Sequence, residues 1–132
     1  MTASFSPAFV DRLFMERDFN GLHQLISAVE QERHLPEEFW LFCRVFEWAP
    51  SRSGVWQYYE ATPEAIFNRV LACLEQFRMS AIASKYAVGR NCRGPSESLA
   101  ALDSWLDDNA ASIHTKVFLL IDKQRGLLTN GA

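Results

Sequence analysis

Cys43, Cys73 and Cys92 are odd in number and form no CxxC pair, which excludes a closed disulfide framework. His23, His34 and His114 include no i,i+4 pair, and HExxH is absent, so the usual helical zinc signature is missing. GxSxG, the P-loop and GxGxxG are absent too. No metal and no other cofactor is therefore expected. Residues 1–7 lack the basic and apolar regions of a signal peptide. No apolar run approaches the ~20 residues that cross a bilayer. With three unpaired thiols, these features predict a reducing, cytoplasmic setting. Strict alternation of apolar and polar residues is missing, and no NG or DG turn joins two strand-like runs, which argues against a sheet. An excess of one charge is lacking as well. A net charge of -3 gives no global attraction to nucleic acid or an anionic membrane.

What the chain does have is bulky apolar material: 48% hydrophobic residues, with ten Phe and four Trp among 132 residues. That supports one compact domain over residues 1–132 without staples. Helical spacing recurs at Phe9, Val10, Leu13 and Phe14, and at Leu22, Leu25, Ile26 and Val29. The run from Phe39 to Trp48 is apolar on most sides and is expected to be central. Ile66, Phe67, Val70, Leu71, Leu74 and Phe77 form the clearest stripe. A short helix is predicted over 80–88 with Gly89 as its stop. Leu99, Leu102 and Leu106, then Ile113, Val117, Leu120 and Ile121, predict two last helices. Ser6-Pro7, Thr62-Pro63 and Pro95-Ser96 each set a capping hydroxyl beside a helix start. The fold class is all-α, a single compact bundle of about six to eight helices. Its expected core includes Phe42, Phe46, Ile66, Val70, Leu74, Phe77, Leu102 and Leu120.

The densest feature is Gly54-Val55-Trp56-Gln57-Tyr58-Tyr59-Glu60, with three aromatics in four positions. Gly54 frees the backbone for a turn into a helix, and Gln57 is placed to bind the preceding loop. One reading makes the motif a lock that fixes this loop to the bundle. The other makes Trp56 and Tyr59 a partner-binding surface, because aromatics dominate interface hot spots.

Charges are segregated locally. Arg78, Lys85, Arg90 and Arg93 are the only charges over 78–93, and Glu97, Asp103, Asp107 and Asp108 the only ones over 97–108. Solvated faces are the ordinary reading of such runs. A basic stretch with Tyr86 as its single interleaved aromatic is a poor single-strand binder. Glu37-Glu38 suits the first turn of a helix, where negative charge complements the dipole. Asp107-Asp108 is placed to cap the last helix. Capping and solvation account for both pairs better than paired-carboxylate catalysis does. Cys92 lies in a Gly- and Arg-rich loop where a thiolate would be favoured, though an incidental loop cysteine is the simpler reading.

Three segments resemble a bacterial domain family typified by a DNA-mimic protein. Arg52-Ser53-Gly54-Val55-Trp56-Gln57-Tyr58-Tyr59 is similar to its Asn-Gly-Gly-Phe-x-Gln-Tyr-Phe motif, matching at Gly54, Gln57 and Tyr58. Cys73-Leu74-Glu75-Gln76-Phe77-Arg78-Met79 follows its Ala-Leu-x-x-Ile-Gly-Ala helix end, with Arg78 in place of Gly. Leu99-Ala100-Ala101-Leu102-Asp103 follows its Leu-x-x-Leu-Asp. The likeness covers roughly residues 36–124. It implies a helical regulator that occupies a partner's nucleic-acid-binding surface. With 16 acidic and 13 basic residues, this chain lacks the strongly acidic surface on which mimicry rests.

These readings converge on a non-enzymatic protein-binding module. The expected contact residues are Trp56, Tyr59, Asp103, Asp107 and Asp108. The alternative is an immunity- or antitoxin-like protein that neutralises a toxin by binding it. The partner is expected to be a protein, with no direct nucleic-acid contact and no membrane. Self-association into a homodimer is compatible with either reading.

Overall fold

The computed structural model describes residues 5–50 and 54–129. Arg52 and Ser53, which open the motif similar to the family's, lie outside the described residues. Those that are described form seven α-helices and no strand: α1 (Pro7–Met15), α2 (Phe19–Glu30), α3 (Glu37–Trp48), α4 (Val55–Ala61), α5 (Glu64–Gln76), α6 (Ser80–Tyr86) and α7 (Glu97–Asp122). Short 3-10 turns follow α6 and α7. No helix among the described residues is long and apolar enough to cross a membrane. The chain divides into two compact units, one running to Phe46 and resuming at Lys116, the other spanning Glu47–Thr115.

In the first unit, α1 starts where Ser6 Oγ accepts the Phe9 N–H, with Pro7 in the first turn. Helix α2 starts at Asp18, whose carboxylate accepts the Gly21 N–H at 2.9 Å. That cap satisfies one of the free amides of a first turn. Val10, Leu13 and Phe14 of α1, Leu22, Leu25, Ile26 and Val29 of α2, and Phe39, Phe42 and Cys43 of α3 are buried. The end of α7 adds Val117, Phe118 and Ile121. Phe118 joins the helices through ring contacts, lying 5.5 Å from Phe14 and 5.7 Å from Phe19. The 3-10 turn Arg125–Leu128 is held by polar contacts. Arg33 donates to the Leu127 carbonyl at 2.7 Å, and Arg125 lies 3.5 Å from the Asp11 carboxylate.

The second unit is organised by α5 and α6. Val70 and Leu74 are 0% exposed, as the stripe requires. Leu99, Leu102, Leu106 and Ile113 of α7 are buried here as well. Ser96 Oγ accepts the Leu99 N–H and holds the first turn of α7. Helix α5 ends in a Schellman motif: Met79 N–H bonds to Leu74 C=O at 2.8 Å and Arg78 N–H to Glu75 C=O. Arg78 occupies the left-handed position, φ +61°, where glycine is the usual choice. Arg17 does the same after α1, at φ +50°.

Several expectations need correction. Phe46, Ile66, Phe77 and Leu120 are only half-buried, and Phe67, Cys73, Phe118 and Ile121 take the interior places beside them. A wide apolar stripe does not say which of two adjacent residues faces inward. The two last helices are one helix of 26 residues. Asp107-Asp108 therefore sits inside α7 and caps nothing. No Pro or Gly interrupts this segment, and the surrounding alanines favour continuation. Thr62 is not an N-cap; its hydroxyl donates back to the Tyr58 carbonyl at the end of α4. Gly89 does not stop α6 by a left-handed turn, because the 3-10 turn Ala87–Gly89 continues it and the left-handed residue is Asn91.

Candidate functional site

The tyrosines of the dense motif turn inward. Tyr59 is 6% exposed, and its hydroxyl accepts the indole N–H of Trp48 at 2.9 Å while donating to the Tyr86 carbonyl at 2.8 Å. The Tyr58 and Tyr86 hydroxyls share a hydrogen bond of 2.6 Å. Trp48 and Tyr86 are both fully enclosed. The buried polar atoms of this cluster thus satisfy one another, as the interior demands. The rings meet at angles favoured by aromatic quadrupoles, Trp48 and Tyr86 at 5.2 Å and 66°, Tyr59 and Tyr86 at 5.6 Å and 63°. Burial pushes the Tyr59 phenol far above its ordinary pKa, against the smaller lowering by the Trp48 bond. Tyr59 lies so tightly on Gly89 that a Cβ there would sit 2.1 Å from the ring. Tyr59 is therefore corrected from a surface contact to a core residue, because its polar atom and ring edges are all engaged inside the unit.

Trp56 behaves differently. It is half-buried, and its indole folds back over Gly54, where a Cβ would lie 2.8 Å from Cδ1 and Nε1. The same Cβ would lie 3.9 Å from Asp103 Oδ2. Gly54 also adopts φ +112°, a conformation that L side chains rarely adopt. No bond of the Trp56 indole N–H occurs among the described residues. Gln57, expected to bind the preceding loop, is exposed, and its side chain bonds none of the described residues.

Asp103 is half-buried beside this tryptophan and accepts the Val55 N–H at 2.9 Å. It supplies α4 with the cap that Gly54 cannot. Asp107, one turn along α7 from Asp103, is exposed, as is Asp108. The fold thus gathers Trp56 and Asp103 at Gly54, with Asp107 on the same side of α7. It separates Tyr59 from them. Trp105 was not singled out by the sequence; it is half-buried on α7, with the Lys85 ammonium 5.3 Å from its ring centroid. Its place within the acidic run was the available signal.

The other candidates fall elsewhere. In the basic stretch Tyr86 is 0% exposed and so offers no stacking face. The Arg90 guanidinium lies 5.0 Å from the Phe67 ring centroid. Cys43 and Cys73 are buried, while Cys92 is half-buried with its Sγ 3.7 Å from the Trp56 and Gly94 carbonyls. His23 rests against Phe46, with ring centroids 5.1 Å apart. Burial holds the His114 pKa below its ordinary value. Among the described residues no three His, Cys, Asp or Glu side chains are grouped as a metal site.

Fold and surface together define an all-α protein with a hydrogen-bonded aromatic cluster inside one unit and a Trp56–aspartate patch beside it. No protein-family model, no curated protein and no solved structure matches the chain.

Proposed function

We propose that this chain is a non-enzymatic protein-binding module whose contact surface is Trp56 with the neighbouring acids Asp107 and Asp108. The observation that carries this reading is the unspent capacity of Trp56: a half-buried indole, with no hydrogen bond to its N–H among the described residues, mounted on a glycine beside Asp103. Tryptophan in such a setting is the residue type richest in binding energy. Exposed Asp107, one turn along α7 from Asp103, and exposed Asp108 next to it steer a basic partner toward this end of the unit. A partner that presents its nucleic-acid-binding face fits this charge, which is the regulatory role implied by the resemblance to the DNA-mimic family. Free thiols at Cys43, Cys73 and Cys92 support a reducing, cytoplasmic setting.

Asp103 belongs to the support of this surface more than to its contacts, since its carboxylate is engaged by Val55. The test therefore leaves it intact. A partner captured from the source cells is bound to nucleic acid, and the protein is added as competitor. The wild type should displace the nucleic acid, with an effect that weakens as salt screens exposed charge beyond ~8 Å. Asp107→Lys with Asp108→Lys should slow association. Trp56→Ala should cost ~2 kcal/mol or more, chiefly in dissociation rate. Unchanged competition by the charge-reversed protein would remove the nucleic-acid-face reading. Unchanged affinity of a folded Trp56→Ala variant would remove the surface itself.

A further inference from the structure

The first unit holds a cleft of about 450 Å³ between the α2–α3 connection and the 3-10 turn after α7. Arg33, His34, Leu35, Pro36 and Leu127 line it. Leu127 is 38% exposed and Pro36 is half-buried, so the cleft keeps an open apolar wall. Both sides are fixed by the backbone. The Arg33 N–H bonds to the Val29 carbonyl and the Leu127 N–H to the Gln124 carbonyl, each at 3.0 Å. Leu128, next in the turn, is 0% exposed and anchors it. The Arg33 guanidinium is tied across the cleft, donating to the Leu127 carbonyl at 2.7 Å. Its other donors meet no acceptor among the described residues, and none of the described residues that line the cleft is an acid.

We infer that this cleft binds a small monocarboxylate with an apolar body, a medium-chain fatty acid. Charge complementarity selects the head group. Arg33 stays protonated at any physiological pH, and its planar fork offers paired N–H donors to a carboxylate. The bond to Leu127 already orders this long side chain, so less freedom is lost when a ligand arrives. That bond also sets the guanidinium against the residue that supplies the open apolar wall, so head and tail are received at neighbouring points. The volume lies within the ~300–1,000 Å³ of sites that enclose small ligands. Phosphate or sulfate would satisfy Arg33 and leave the wall of Leu127 and Pro36 uncovered. A neutral hydrocarbon would cover the wall and strip water from Arg33 without replacing it. An alkylammonium would meet Arg33 with no acid in the cleft to receive it.

The test is a titration of the ¹⁵N-labelled full chain with sodium octanoate, read from its backbone amide shifts. Saturable shifts are expected at Arg33, His34, Leu35 and Leu127. The n-octanol control lacks the charge and octylamine reverses it. Each should bind about tenfold more weakly or worse, because a charge-assisted hydrogen bond is lost. From butanoate to octanoate, each methylene that the cleft encloses should tighten binding by up to about fourfold. Arg33→Gln should erase the preference for octanoate over octanol, and Arg33→Lys should keep part of it. Leu127→Glu sets a carboxylate on the open wall and should weaken octanoate several-fold. The Leu127 side chain is exposed, so this variant keeps the fold even where Arg33→Gln loosens the turn. Asp107→Lys with Asp108→Lys should leave the titration unchanged, which separates this site from the protein-contact surface. No saturable shift with octanoate would overturn the proposal. So would equal binding of octanoate and octanol to the wild type, or unchanged octanoate affinity in Leu127→Glu. Tighter binding of an acetylated Ala-Ala-Leu peptide with a free carboxylate would overturn it in favour of a protein C-terminus.

Discussion

The carboxylate of Asp103 accepts a hydrogen bond from the backbone N–H of Val55 across 48 residues of sequence, at 2.9 Å. A helix normally draws its cap from the residue just before it. Here that residue is Gly54, which has no side chain, and the cap comes from α7 instead. The first turn of α4, and with it Trp56, is thereby fixed by a residue from another helix.

Asp103→Ala should destabilise the protein by about 1 kcal/mol, the usual loss for a helix cap. Asp103→Asn keeps an acceptor oxygen and should recover most of that. Urea unfolding of the three proteins measures it. Equal midpoints for Asp103→Ala and wild type would show that the contact contributes nothing.

Gly89→Ala should be far worse than its one added methyl group suggests. The new Cβ would lie 2.1 Å from Tyr59, a ring pinned by its own hydrogen bonds. Overpacking of this kind costs ~1–3 kcal/mol, occasionally more. Gly126→Ala is the control, because a Cβ there meets nothing within 4 Å. It should be neutral or stabilising by up to ~1 kcal/mol through the unfolded chain. Thermal melts of both variants decide the contrast.

Tyr59→Phe should remove the two buried hydrogen bonds of the Tyr59 hydroxyl, to the Trp48 indole N–H and the Tyr86 carbonyl, at a cost of ~1–3 kcal/mol. Its pH signature is separable. Burial raises the phenol pKa in the folded protein, so the unfolded chain is the one that loses this proton first as pH rises past the ordinary value of 10.0. The stabilisation is whole below that pH and fades above it, by up to ~1.4 kcal/mol per pH unit. Urea midpoints between neutral pH and pH 11 should therefore fall more steeply for wild type than for Tyr59→Phe. Parallel curves would count against the buried phenol.

Arg78→Gly should stabilise the protein by about 1 kcal/mol. The arginine sits at φ +61° in the turn that ends α5, a conformation that costs an L-residue ~1–2 kcal/mol and glycine almost nothing. Arg17→Gly should gain less, because the Arg17 guanidinium, 5.1 Å from the Phe118 ring centroid, would be lost with the side chain. Differential scanning calorimetry of the two variants tests the ordering.

The sequence determined the class of structure and most of its helices. Apolar spacing is a local property, and Pro7, Ser6 and Ser96 mark helix starts by chemistry confined to one turn. Val70 and Leu74 at 0% exposure follow from that spacing alone. Gly54 was also legible as a turn residue, and φ +112° is the reason. Tertiary structure decided the rest. Spacing could not choose between Ile66 and Phe67, or between Leu120 and Ile121, because neighbours on a wide stripe differ only in what packs against them. Three aromatics in four positions read alike until Trp48 and Tyr86 draw Tyr59 inward and leave Trp56 half-buried. Asp103 and Asp107 likewise share charge and helix, yet one is bound by Val55 and the other faces solvent. That difference comes from a residue 48 positions away, and periodicity within a helix carries no information about such a partner.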